Sequence, residues 1–279
     1  MADAPSTQNP ISGSLPLYKS PEPINQVQHA GKGLTFTDRP FEFVASTHFV
    51  PVTVGEFGIA ASRFPIIFIG ETKTPVAAMG LNNGENLFVD ESGNFEPMCY
   101  LPGYIRRYPF VAATHNEDRE RFTVCIDTGS HLYSDNPQQP FFTADGKASE
   151  FLERSIEFVR RYESDVASTQ EFVNKLKELD LFEDQQATFQ PRDTQGNPQG
   201  ERQVLASYSG VSGDKLRALD PAQLADLRDS TFLGAIYAHM LSIGQWDFIV
   251  QRAARKAQLS GAAPASNIGS VPPPPAPEA

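Results

Sequence analysis

The run Phe64-Pro65-Ile66-Ile67-Phe68-Ile69 is apolar at every position, and this limits the folds open to the chain. A half-exposed strand alternates apolar and polar residues; one buried on both faces does not. The run is far shorter than the roughly eighteen residues that cross a bilayer. It therefore predicts the middle strand of a sheet with cover on both sides. Around it, from Gly31 to Phe142, short apolar segments recur at Glu42–Val44, His48–Val54, Pro75–Leu81, Asn86–Val89, Arg121–Asp127 and Pro140–Phe142. Asn82-Asn83-Gly84 and Glu91-Ser92-Gly93-Asn94 between them suit tight turns that need positive φ. This half reads as antiparallel β.

From Ala148 the period changes. Phe151, Leu152, Ile156, Val159 and Tyr162 predict one amphipathic helix, and Phe172, Val173, Leu176 and Leu179 a second, capped by Ser168 or Thr169. Ala187–Phe189 and Val204–Tyr208 flank the polar tip Asp193–Pro198 and predict a small hairpin near 187–208. Asp220-Pro221-Ala222-Gln223 combines an N-cap, a first-turn proline and a capping-box glutamine, so a helix starts at Pro221. After a break at Asp229-Ser230, Phe232–Ile243 is apolar around its circumference and predicts a buried helix, and a closing helix covers Trp246–Lys256. Trp246 reads as a core plug. The fold class is α+β: a mostly antiparallel β-rich region, 21–146, packed against a helical region, 147–258, that carries the hairpin. The ends, 1–20 and 259–279, are poor in apolar residues or rich in Pro and Ala, and predict disorder.

Charge excludes one class of partner. With 34 acidic and 23 basic residues the net charge is −11, which disfavours a surface that neutralises nucleic-acid phosphates. No apolar run predicts a transmembrane segment. Residues 1–20 lack the basic start and apolar stretch of a conventional secretory signal, which leaves a cytoplasmic location or export to the cell surface by a signal-less route. Cys99 and Cys125 lie in segments that read as strands, without a metal-ligand spacing, and are expected to be reduced.

The candidate site residues come from two sources. Five histidines, His29, His48, His115, His131 and His239, offer one thin metal pattern, His115-Asn116-Glu117, inside a charged turn; neither a metal nor a cofactor is expected. His239 sits in the apolar helix, where an imidazole commonly bonds a buried carbonyl. The segment Tyr104-Ile105-Arg106-Arg107-Tyr108-Pro109-Phe110 puts two guanidinium forks among tyrosines, a pattern suited to an anion or peptide carboxylate. The alternative is an arginine pair tethering the sheet to Glu150, Glu153 or Glu157. The candidate ligand-binding set is Arg106, Arg107, Tyr104, Tyr108, His48 and His239, and no catalytic residue is assigned.

An ordered series of these motifs resembles the SapC family, named for a protein associated with bacterial surface layers. The matching pieces are His48–Val52 with Glu56-Phe57, Phe64–Phe68, Ala78–Leu81 with Glu85–Val89, Leu101–Phe110 and Ile236–Ser242, from about His29 to Arg252. The resemblance implies a non-enzymatic role in or near a surface layer or its assembly, with self-association or surface-layer components as partners. Two other readings stand beside it: a cytoplasmic module binding an anionic small molecule or peptide through the Arg/Tyr patch, and an enzyme with a pocket around His48, His131 or His239.

Overall fold

The apolar run becomes a strand, Ile66–Ile69, and lies third of five in its sheet. The computed structural model describes residues 17–114, 122–191, 195 and 197–260. Its strands are β1 Pro21–Pro23, β2 Gly33–Leu34, β3 Phe49–Pro51, β4 Ile66–Ile69, β5 Thr74–Ala78, β6 Phe110–Thr114, β7 Phe122–Asp127, β8 Tyr133–Ser134, β9 Gln139–Pro140, β10 Phe182–Phe189 and β11 Gln203–Val211. Its helices are α1 Gln26–His29, α2 Phe57–Ala60, α3 Gly103–Arg106, α4 Glu150–Glu178, α5 Gly213–Arg217, α6 Pro221–Asp229, α7 Phe232–Ser242 and α8 Trp246–Ser260. Most strands precede α4 and most helix follows it, so the class is α+β as the sequence predicts.

The chain forms two compact units, each discontinuous in sequence. One takes residues up to Thr35 with Pro109–Ile156; the other takes Phe36–Tyr108 and the chain from Glu157. In the first unit, two three-stranded antiparallel sheets have the orders β1-β7-β6 and β8-β2-β9. Asp127, buried at the end of β7, accepts backbone N–H bonds from Lys19, Ser20 and Gly129 and fixes the entry of the chain.

The second unit is built on the antiparallel sheet β10-β11-β4-β5-β3. Ile66, Ile67 and Phe68 are all buried, which a central strand with cover on both faces requires. The cover includes α7 and a ring cluster in which Phe172 meets Phe57 at 5.7 Å and Phe232 at 5.3 Å. Asp220 caps α6 as its sequence predicts, accepting from Ala222 N and Gln223 N while Gln223 closes the capping box.

Four sequence expectations are corrected. The two helices after Ala148 are one 29-residue helix. No Gly or Pro interrupts 162–172, and Thr169 donates back to the Asp165 carbonyl at 2.6 Å instead of capping a new start. The hairpin is longer than expected and is no satellite of the helices, because β11 pairs with β4 through Ser209 and Phe68. Glu42–Val44 is a 3-10 turn, and Asn86–Val89 contributes only an isolated bridge from Val89 to Phe95. Buried Asn86 explains both, since its side chain donates to Val44 O and accepts from Phe88 N, taking bonds a ladder would otherwise supply. Finally, Cys99 lies in a bend, whereas Cys125 is in β7. Both thiols are free, and burial pushes Cys125 up to about 11. The His115-Asn116-Glu117 pattern, half of the hairpin tip and most of the two predicted disordered ends lie outside the described residues.

Candidate functional site

Arg106 and Arg107 are neighbours in sequence at the end of α3, and a helix turns about 100° per residue, so their side chains diverge. Arg107 is only 7% exposed. Its guanidinium lies 4.7 Å from the Tyr104 ring and 4.5 Å from the Tyr162 ring, and it donates to Glu163 at 3.1 Å. Tyr104 is buried in the same packing, and Tyr108 stacks on Phe43 with centroids 3.9 Å apart. The tether to α4 thus exists, but through Glu163; Glu150 and Glu157 pair with Arg154 and Arg161 on their own helix.

Arg106 turns the other way, with 43% of its side chain exposed. It lies over the rings of Tyr100 and Phe158, donates to the Tyr100 hydroxyl at 3.2 Å and stands 3.9 Å from the Glu56 carboxylate. Glu56 is saturated: it accepts from Thr53 N, Thr53 Oγ1, Tyr100 OH and Gly103 N. Burial, then the bond to Glu56, holds the Tyr100 phenol well above its ordinary range. Of the four Arg and Tyr candidates, one presents a charge to solvent, and it is already stacked and bonded.

The two histidine candidates do not join this cluster by any contact among the described residues. His48 is half-buried against Phe49, ring centroids 4.2 Å apart, and burial lowers its pKa. His239 is buried on α7. Its Nδ1 lies 2.8 Å from the Ile66 carbonyl, which only accepts, so Nδ1 carries the proton. Its Nε2 accepts from Val211 N at 3.0 Å. Burial depresses its pKa to about 4, and the ring is a neutral structural bridge.

Two surface features were not singled out in the sequence. A cleft of about 670 Å³ opens between the 87–97 segment and α8, lined by Phe88, Phe248, Arg252 and Arg255 among others. Arg252 lies 4.5 Å over the Phe88 ring and donates to Leu87 O and Glu96, whereas Arg255 is exposed. The second feature is α7 itself. The sequence predicts it buried all round; only Ile236, His239 and Ser242 are buried, while Tyr237 is 51% and Leu241 77% exposed. Gly234, Tyr237 and Leu241 share the uncovered stripe at spacings of three and four. That spacing is visible in the sequence, but an all-apolar helix hides it among equally apolar neighbours.

The histidine, Glu56 and α7 segments are the stretches whose order carried the family resemblance, and the SapC family model matches residues 24–248 of the 279. The chain belongs to the SapC family. The match spans both compact units, ending at the third residue of the helix that lines the cleft. No curated protein and no solved structure matches the chain. No group of three His, Cys, Asp or Glu placed to hold a metal is found among the described residues, and no helix among them is long and apolar enough to cross a membrane.

Proposed function

We propose that the protein is a non-enzymatic assembly component associated with a bacterial surface layer or with its construction. The single observation that carries this reading is the uncovered apolar stripe of α7, where Tyr237 and Leu241 stand exposed on a helix without an Asp, Glu, Lys or Arg. Apolar residues side by side on a surface favour a protein partner, which removes them from water. The surface-layer setting is what the name of the SapC family implies, and membership of that family supports the reading without testing it. The test is external protease on intact host cells, with this protein followed by immunoblot beside cytoplasmic and surface markers. Loss of the band with the surface marker is the expected result; a band protected together with the cytoplasmic marker removes the surface-layer assignment.

The α8 cleft favours a second reading, a module that binds an anionic small molecule or peptide. There Arg252 lies on Phe88 and is paired with Glu96, and Arg255 has no ion pair among the described residues, leaving one guanidinium fork to meet a carboxylate in a lining that also holds Asp90 and Glu91. Trp246, the sole tryptophan, begins the same helix and reports on it. A triglutamate peptide is expected to shift Trp246 fluorescence saturably, and Arg255→Glu to abolish the shift. A flat titration to millimolar peptide eliminates this reading.

A further inference from the structure

The walls of the α8 cleft pair some of their charges with each other and leave the rest apart. From the helix, Arg252 donates to Leu87 O and Glu96, and Lys256 reaches Glu85 at 3.1 Å. These bonds tie α8 to the chain opposite. Three charges in the lining take no part: Arg255 on the helix, and Asp90 and Glu91 on the facing turn. All three are exposed, and none has an ion pair among the described residues. We infer that the cleft binds a zwitterion, a short peptide with a free amino terminus. Its ammonium lies at Asp90 and Glu91, its carboxylate on Arg255, and its apolar side chains over the aromatic floor. This rests on the binding-module reading of the same cleft and replaces its unspecified anion with a ligand charged at both ends.

The acidic end is built on a closed turn. Asp90 N donates to Asn94 O, Gly93 N donates to Asp90 O, and Asp90 Oδ1 accepts from Asn94 N at 2.8 Å, which leaves Oδ2 open. Gly93 has a φ of 75°, and the Cβ it lacks would stand 2.7 Å from Arg39 Cβ, so the turn is fitted against that side chain. Arg39 bonds the Glu91 carbonyl and pairs with Glu42, and neither carboxylate of the turn is neutralised by it. An ammonium has three donors to share between two carboxylates held in this way. At the other end the Arg255 guanidinium offers the planar fork that a carboxylate accepts with both oxygens.

Charge of both signs selects the ligand class. A simple anion meets Arg255 but is opposed by Asp90 and Glu91, and the chain as a whole, at −11, repels it. A simple cation meets the acids and is opposed by Arg255. A ligand with an ammonium and a carboxylate satisfies both walls and carries no net charge for the protein to repel. Size and floor agree. The cleft, at about 670 Å³, lies within the range of roughly 300–1,000 Å³ common for small-ligand sites. Phe88 packs against Phe95 and Phe248, with ring centroids 6.2 and 6.4 Å apart, and half-buried Phe248 gives the ligand's side chains an apolar surface. An extended tripeptide separates its terminal charges by about 10 Å, at roughly 3.3–3.6 Å per residue.

Calorimetric titration of the full chain with trileucine, N-acetyl-trileucine and trileucine amide at low salt tests this. Trileucine is expected to bind about fivefold or more tighter than either capped peptide, a modest factor because charges at an open rim are screened. In the variant carrying Asp90→Asn and Glu91→Gln, the free and acetylated peptides should bind alike; in Arg255→Gln, the free peptide and the amide should bind alike. These changes keep the Asn94 bond to residue 90 and the Arg252–Glu96 tie, so the walls stay in place. Acetylated peptide that binds wild type as tightly as the free one overturns the zwitterion and leaves the anion-binding module standing. An amide that binds as tightly as the free peptide, or no heat from any of the three up to roughly 10 mM, overturns both. Trileucine binding indifferent to all three substitutions also overturns the inference, because the ligand then sits elsewhere.

Discussion

Alanine in place of His239 is expected to lower the unfolding free energy by about 3–5 kcal/mol, measured by urea denaturation at pH 7. The size follows from where the imidazole sits. β11 pairs with β4 at Ser209 and Phe68, and two residues further along the antiparallel register Val211 and Ile66 come opposite each other. There the ladder is replaced. Val211 N–H donates to Nε2, Nδ1–H donates to Ile66 O, and the Ile66 N–H is taken by Ser242 Oγ at 2.9 Å. One turn of α7 thus stands in for sheet hydrogen bonds between two buried strands. Alanine leaves a buried N–H and a buried C=O without partners, each costing about 1–3 kcal/mol, and opens a cavity beside Phe68, whose ring centroid is 5.0 Å away. Gln keeps both a donor and an acceptor and should recover part of the loss. A cost below about 1 kcal/mol for alanine would show that the strands re-pair directly.

The same bridge sets an acid limit. Protonated imidazole donates from both nitrogens, which turns Nε2 against the Val211 N–H. The folded pKa is about 4 against 6.5 for the free side chain. A depressed histidine pKa means that the unfolded chain binds the proton first, so this contribution is complete above pH 6.5 and is lost as pH falls toward 4. Over that window it amounts to about 3 kcal/mol, at roughly 1.4 kcal/mol per pH unit. His48, lowered by burial, acts in the same direction, and Asp165, raised by burial and by the Glu56 charge, acts in the opposite one. Subtracting the His239→Gln profile from wild type isolates the single group. Parallel profiles would mean that His239 is charged in the folded state.

Much of this fold is written locally. The both-faces-apolar run required a central strand, and Asp220-Pro221 with Gln223 required a helix start, because each signal is satisfied by residues close in sequence. What was not legible depends on partners far along the chain. Asn86 looks like the start of a strand until Val44 is beside it, and Thr169 looks like a cap until its helix proves continuous. The candidate site divides the same way. Arg106-Arg107 between tyrosines is equally a recognition patch or a packing motif, and the residues that decide, Glu56, Tyr100, Tyr162 and Glu163, lie in other elements. The uncovered stripe of α7 was hidden for the reverse reason: hydropathy reports what a helix prefers, and only the neighbours reveal which face receives cover.

Arg107→Ala is expected to destabilise the protein by about 3–5 kcal/mol, and Arg106→Ala by no more than about 1 kcal/mol. The two arginines share a sequence context and differ in surroundings. Arg107 and Glu163 are a desolvated pair, with side chains only 6% and 13% exposed, and removing either leaves the other charge buried without its counterion. Tyr104 and Tyr162 flank the guanidinium and lose a packing surface with it. Arg107→Met with Glu163→Met should therefore cost less than the sum of the single changes, and the double-mutant cycle should give a coupling of about 2 kcal/mol or more. Arg106 has solvent for compensation and stands 3.9 Å from a carboxylate that four other donors already satisfy. The difference decides how a recognition role for this segment is tested. Replacing both arginines together removes a buried ion pair, so lost binding in that variant reports on the fold as much as on a ligand. Arg106→Gln alone leaves the Arg107–Glu163 pair in place and asks the binding question cleanly. Should urea denaturation instead show Arg107→Ala within about 1 kcal/mol of wild type, the pair contributes little to the fold, and Arg107 returns as a candidate for the ligand that Arg106 faces.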